Sequence, residues 1–171
     1  MKTKTNKISN PGRDKARPSR KTPVHQCVYR SDSRVPVVFL TVCSKDKKKI
    51  FNNQDVHELL KTVWINAALW ITGRYIIMPD HIHLFCSPDR NDSIPLSRWV
   101  QYWKSQASLR WPQKEEQPVW QKSFWDTQIR HGESYQSKWE YVRQNPVRAG
   151  LCGSANDWPY QGELNTLNWH D

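Results

Sequence analysis

No stretch of the chain approaches the ~20 consecutive apolar residues of a membrane-spanning helix, and no apolar segment follows the basic start, so neither a span nor a secretory leader is expected. Cysteine is scarce: Cys27, Cys43, Cys86 and Cys152 stand far apart, with no Cys-x-x-Cys pair. That spacing argues against a disulfide framework and a cysteine zinc knuckle, and it fits a reducing cytoplasm. Acidic residues are outnumbered, 16 against 26 Lys and Arg, which leaves a net charge of +10 on 171 residues. Such a surplus favours a polyanionic partner, nucleic acid or an acidic membrane surface. Aromatic residues, in contrast, are plentiful: ten tryptophans give a chain of this length the material for one domain with a genuine core.

The charge is unevenly placed. Residues 1–34 hold five Lys and five Arg against two Asp, so +8 of the +10 lies there, with hardly any apolar residue. They read as a flexible basic arm, either a solvated tail or a salt-sensitive contact to phosphates. Residues 35–152 carry the patterned elements of a domain. Residues 153–171 have little periodicity and read as a tail that packs on the domain or contacts DNA.

Within the domain, Val35–Cys43 is apolar and β-branched enough for a buried central strand. Residues 52–70 place Val56, Leu59, Leu60, Val63, Trp64 and Ala67 at helical spacing, with Asn52 or Asn53 as cap and His57 on the polar side. A second helix over 95–111 buries Leu96, Trp99, Val100, Trp103 and Ala107 and leaves Lys104 on its polar face. Residues 118–130 read as an interrupted strand, because Trp120, Phe124 and Trp125 break alternation. Ser134 caps a third helix over 135–145, which Asn145-Pro146 stops or kinks, with Tyr135, Trp139 and Val142 on its buried stripe.

Between the first two helices, Tyr75-Ile-Ile-Met-Pro-Asp-His-Ile-His-Leu-Phe-Cys86 reads as a hairpin turning at Pro79-Asp80. Alternation along a strand points His81 and His83 the same way, about 7 Å apart, at ~3.3 Å of rise per residue. Two imidazoles so placed can grip one divalent metal ion, which needs further ligands. Asn145 offers an amide oxygen, and Tyr141 lies one helical turn before it on the same flank. A phenol is protonated and weakly nucleophilic at neutral pH, but beside a divalent cation and a desolvated phosphate its oxygen becomes usable. Neither the His-x-His pair nor the tyrosine is decisive alone.

Together, Met78-Pro-Asp-His-Ile-His-Leu84, Trp120-Gln-Lys-Ser-Phe-Trp-Asp126 and Glu140-Tyr-Val-Arg-Gln-Asn-Pro-Val-Arg-Ala-Gly-Leu151 resemble the REP-associated tyrosine transposases, relatives of the single-tyrosine HUH transposases of bacterial insertion sequences. The resemblance spans residues from about 35 to 160. It implies a ferredoxin-like α+β fold, an antiparallel sheet of about four strands with helices against it. It also implies a metal-dependent single-stranded DNA endonuclease and strand transferase that cuts hairpin-bearing, REP-like DNA through a 5′-phosphotyrosine intermediate. Tyr141 would be the nucleophile, with Tyr135 disfavoured, and His81, His83 and Asn145 would bind Mg²⁺ or Mn²⁺. Candidate DNA contacts are Lys104, Arg130, Arg143, Arg148 and Trp125. A cytoplasmic, nucleoid-associated monomer without membrane contact is implied, with a helix-exchanged homodimer as the alternative assembly. The competing reading is a hairpin-binding regulator of the same fold that no longer cleaves.

Overall fold

The structure is a computed structural model, and it describes residues 36–89, 94–129 and 135–167. Its frame is a five-stranded antiparallel sheet in the order β4-β1-β3-β2-β5. The strands are β1 (Val38–Cys43), β2 (Trp70–Ile77), β3 (His81–Pro88), β4 (Trp125–Gln128) and β5 (Gln161–Glu163). The helices are α1 (Gln54–Asn66), α2 (Leu96–Leu109), α3 (Tyr135–Arg143) and the one-turn α4 (Asn145–Arg148). The first four strands and two helices follow one another as β-α-β-β-α-β, the split arrangement of a ferredoxin-like domain.

Alternation divides the sheet into two faces with different cores. Val38, Leu40 and Val42 of β1 and Ile82, Leu84 and Cys86 of β3 point toward α1 and α2, where Trp64, Trp99 and Trp103 are almost fully buried. The spacing that predicts α1 and α2 is therefore the spacing of their buried residues. Asn53 caps α1 as expected, its side-chain oxygen accepting from the Val56 N–H. His57 departs from expectation. It is buried, shares a 2.9 Å hydrogen bond with the Tyr75 hydroxyl, and has its pKa lowered by burial and by the charge of Lys61.

On the other face, Val37, Ile76 and Phe85 pack against Tyr135, Trp139 and Val142 of α3. Tyr135 is on the buried stripe, as its spacing predicts. A bulge in β2 sets four residues, Thr72 to Tyr75, against three on β3, Leu84 to Cys86, and there Arg74 lies over the Tyr135 and Trp139 rings. A Cβ at Gly73 would come within 2.6 Å of the Leu167 side chain, so a larger residue at this bulge would force that leucine to move.

Two differences from the sequence reading stand out. The interrupted strand is short, with Trp120 joined to Ser44 by an isolated bridge before β4 begins. Residues 153–167, read as a tail, supply β5 and the buried Trp158 and Leu167 of the second core, so the sheet has five strands rather than about four. The basic arm 1–34 and the Ser134 cap lie outside the described residues.

Candidate active site

The hairpin places the histidines on the α3 face. Register pairs His83 with Thr41 and His81 with Cys43 across β1, and directly opposed residues share a face. The rings sit 4.7 Å apart, centroid to centroid, at a steep angle. His83 stacks on Phe39 at 5.3 Å, and Phe39 continues onto Phe85 at 5.0 Å, so the imidazole is braced by the second core.

In both histidines Nδ1 is engaged. His81 Nδ1 and Asp80 Oδ1 share a 2.6 Å hydrogen bond, and His83 Nδ1 and Thr41 Oγ1 share one of 2.9 Å. A carboxylate only accepts, so a neutral His81 carries its proton on Nδ1 and leaves the Nε2 lone pair for a ligand. Thr41 can impose the same tautomer on His83. A metal-binding imidazole is ordinarily oriented through its other ring nitrogen in this way. Burial, helped by the charges of His81, Lys47, Lys138 and Arg148, pushes the His83 pKa down to about 3. Its imidazole is therefore neutral at pH 7, the form that coordinates. For Asp80, burial acts to raise the pKa, but the His81 hydrogen bond and the charges of His81 and Lys47 outweigh it and hold the carboxyl below its ordinary value.

The second half of the site is on α3 and α4. Tyr141 is 65 % exposed. Arg148 folds back over its ring, with the guanidinium carbon 4.3 Å from the centroid, and donates both to the Tyr141 carbonyl (2.8 Å) and to Asn145 Oδ1. One guanidinium thus ties Tyr141 and Asn145 together. α3 ends at Arg143 and Asn145 opens α4, yet Gln144 between them keeps helical φ and ψ, so the common flank survives the break. An amide oxygen has two lone pairs, so Asn145 can serve Arg148 and a metal ion together.

Lys138 connects the halves. It lies one turn before Tyr141 on the same side of α3, and its ammonium sits 5.4 Å from the Phe39 ring that stacks on His83. The charges of Lys138 and Arg148 both act on His83. Sequence reading misses Lys138, Thr41 and Phe39. The signal for the last two was present in the alternation of β1, but only the register of β1 against β3 identifies their partners.

Other candidates fall elsewhere. Trp125 is 47 % exposed and shares the histidine face, since Trp125, Thr41, His83 and Ile76 pair in one row across four strands. Arg143 lies about 200° around the helix from Tyr141, at 100° per residue. It reaches Glu140 and Asn156 beside a cleft of about 410 Å³ that Arg74 and Glu163 also line. Lys104 corrects the expectation of a polar helix face. It is only 9 % exposed, on the far side of the sheet, and its ammonium donates to the Gln121 carbonyl at 2.6 Å. Burial lowers its pKa to about 8. Its partner among the described residues is thus a protein carbonyl. Arg130 lies outside the described residues.

Among the described residues, no cluster of three or more His, Cys, Asp or Glu gathers. Also among these residues, no helix is long and apolar enough to cross a membrane.

A family model described as "Transposase IS200 like" matches residues 35–144. A provisionally named REP-associated tyrosine transposase of Haemophilus influenzae is 27 % identical over 146 residues, covering 77 % of this chain and 82 % of that protein. A REP-associated tyrosine transposase of Escherichia coli K12 is 29 % identical over 86 residues, half of each chain. A solved structure of a REP-associated tyrosine transposase bound to a REP hairpin superposes with a TM-score of 0.63 at 20 % identity, covering 80 % of this chain and 82 % of that one. These relatives bear out the resemblance read from the three sequence blocks, and the superposition bears out the α+β fold.

Proposed function

The chain belongs to the IS200-like transposase family, and from that premise we propose that it cleaves and rejoins single-stranded, hairpin-bearing DNA of the REP type through a covalent bond to Tyr141. The observation that carries the reading is the pair of imidazoles with both Nδ1 atoms engaged, on the sheet face to which α3 brings Lys138. His81, His83 and Asn145 would hold the ion. A divalent cation there, Mg²⁺ or Mn²⁺, would polarise the scissile phosphate as a Lewis acid.

The chain's own groups do the rest. The Tyr141 oxygen attacks phosphorus and its proton passes to solvent. The bond from phosphorus to the 3′ oxygen breaks, and that oxygen leaves with the electron pair and takes up a proton. The 5′ phosphate remains esterified to the tyrosine. Because the ester keeps the bond energy, another strand's 3′-hydroxyl can reverse the step without a nucleotide cofactor. Arg148 against the ring and Lys138 beside it supply positive charge where the attacking oxygen and the phosphate develop negative charge. Trp125, exposed on the same face, would stack on an unpaired base. Arg143, on the other flank, would contact DNA only beyond the reacting phosphate. A monomer that assembles the site in cis is the proposed assembly, with a helix-exchanged homodimer as the alternative.

The test is a denaturant-resistant protein–DNA species formed from labelled hairpin single strand with Mg²⁺ or Mn²⁺. It should disappear with chelator, in His81→Ala and in Tyr141→Phe, while Tyr141→Phe keeps hairpin binding. Binding with no covalent species under either metal would favour the non-cleaving regulator.

A further inference from the structure

The run Lys45-Asp-Lys-Lys-Lys49 follows β1, where a solvated strand end is the ordinary expectation. Instead, its first turn forms one wall of a groove of about 740 Å³, with the opposite wall made by Pro118, Trp120, Gln121 and Lys122. Backbone hydrogen bonds fix the two walls together: the Lys45 N–H donates to Val119 (2.7 Å) and the Gln121 N–H to Cys43 (2.9 Å). Asp46 and Lys47 both hold positive φ, 56° and 58°. Non-glycine residues in that region carry a strain of roughly 1–2 kcal/mol each, which the surrounding contacts must hold in place. The strained turn aims Lys47 back at the histidines. Its ammonium lies 3.1 Å from Cys43 Sγ and 3.6 Å from Asp80 Oδ2, and the other Asp80 oxygen holds His81. The groove therefore opens directly beside the candidate active site.

We propose that this groove is a binding track for the phosphodiester backbone of a single strand continuing away from the reacting phosphate. Lys45, Lys47 and Lys122 line it, opposed by Asp46 and by Asp80, which pairs with Lys47 from beside the groove, so it stays cationic by one charge, carried by Lys45 and Lys122. Trp120 turns its ring into the core beside Phe51 and Trp103. Contact would therefore be to phosphates and not to stacked bases, and tolerant of sequence. A concave cleft between two loops suits one flexible strand better than a duplex. The inference rests on the proposed DNA chemistry for its biological meaning, but binding tests it without cleavage.

The experiment titrates a labelled single-stranded oligonucleotide into the protein by anisotropy at several KCl concentrations. The variants are Lys45→Ala/Lys122→Ala and, as a two-charge control on α2 outside the groove lining, Arg98→Ala/Arg110→Ala. For a single strand, removing one cation that neutralises a phosphate lowers the slope of log K against log salt by about 0.7. The groove variant should therefore fall by about 1.4 in slope, with an unchanged unfolding midpoint, and the control should keep the wild-type slope. Equal slopes for wild type and groove variant overturn the proposal, as does an equal fall in the control. The wild-type covalent assay is read separately. No adduct with a reduced groove slope would remove the cleavage reading and keep the track; an adduct with an unchanged slope would do the reverse.

Discussion

The two faces of this sheet are made from alternate residues of the same strands, yet they differ in almost every physical respect. Toward α1 and α2, Leu40, Ile82 and Leu84 meet a tryptophan cluster that closes to solvent, and even Lys104 and His57 are drawn in and hydrogen-bonded to protein. Toward α3, the core is smaller, and at the end of β3 apolar packing gives way to half-buried imidazoles, a threonine and a tyrosine that faces water. A one-residue step along β3 separates Ile82 from His81 and His83, so one strand can serve stability and chemistry without compromise. The dense face supplies rigidity, and the thin face uses it to hold side chains in place.

Substitutions that act on one face alone test this division most sharply. Trp103→Ala, in the sealed cluster, should cost about 3–5 kcal/mol of stability, read by urea unfolding. Tyr141→Phe should leave the unfolding curve unchanged while removing the covalent DNA species. Comparable stability losses for both would dissolve the distinction. Next in size, Thr41→Val should weaken Mn²⁺ binding about 10–100-fold, the usual effect of losing a group that orients a ligand, with little change in unfolding midpoint. Unchanged Mn²⁺ affinity would mean that Thr41 does not set the His83 tautomer.

The smallest expected effect belongs to the dense face. The folded-state pKa of Lys104, about 8, lies below the ordinary 10.5. Between these values the unfolded chain holds a proton that the folded chain has lost, so stability should rise as pH increases through that interval. Tyr75 and Tyr135 act in the opposite sense above pH 10, because burial raises both to about 12. Cys86, whose thiol burial raises well above its ordinary 9, does the same from pH 9, so the clean window is pH 8 to 9, where Lys104→Met should flatten the rise in unfolding free energy. An unflattened rise would assign it to another group.

Sequence alone reveals the elements whose order repeats in their own residues: both large helices, the histidine hairpin and the buried stripe of α3. It does not reveal β5, because three residues at a sheet edge owe their strand to β2 and not to any pattern of their own. Helical spacing also misplaces Lys104, since a long aliphatic stem lets a charged residue border an apolar stripe and bury its head where a carbonyl waits. The histidines and tyrosine are legible as candidates. Their support is not, because Thr41, Phe39 and Lys138 acquire roles only from strand register and from where α3 lands.

The thin face predicts which tyrosine reacts. Tyr141 on α3 and Tyr102 on α2 are both well exposed, at 65 % and 48 %, but they lie on opposite sides of the sheet. Digestion of the protein–DNA adduct and mass spectrometry of the nucleotide-bearing peptide would distinguish them. The account predicts a 5′-phosphate on Tyr141 alone; attachment at Tyr102, Tyr135 or any other residue would contradict it.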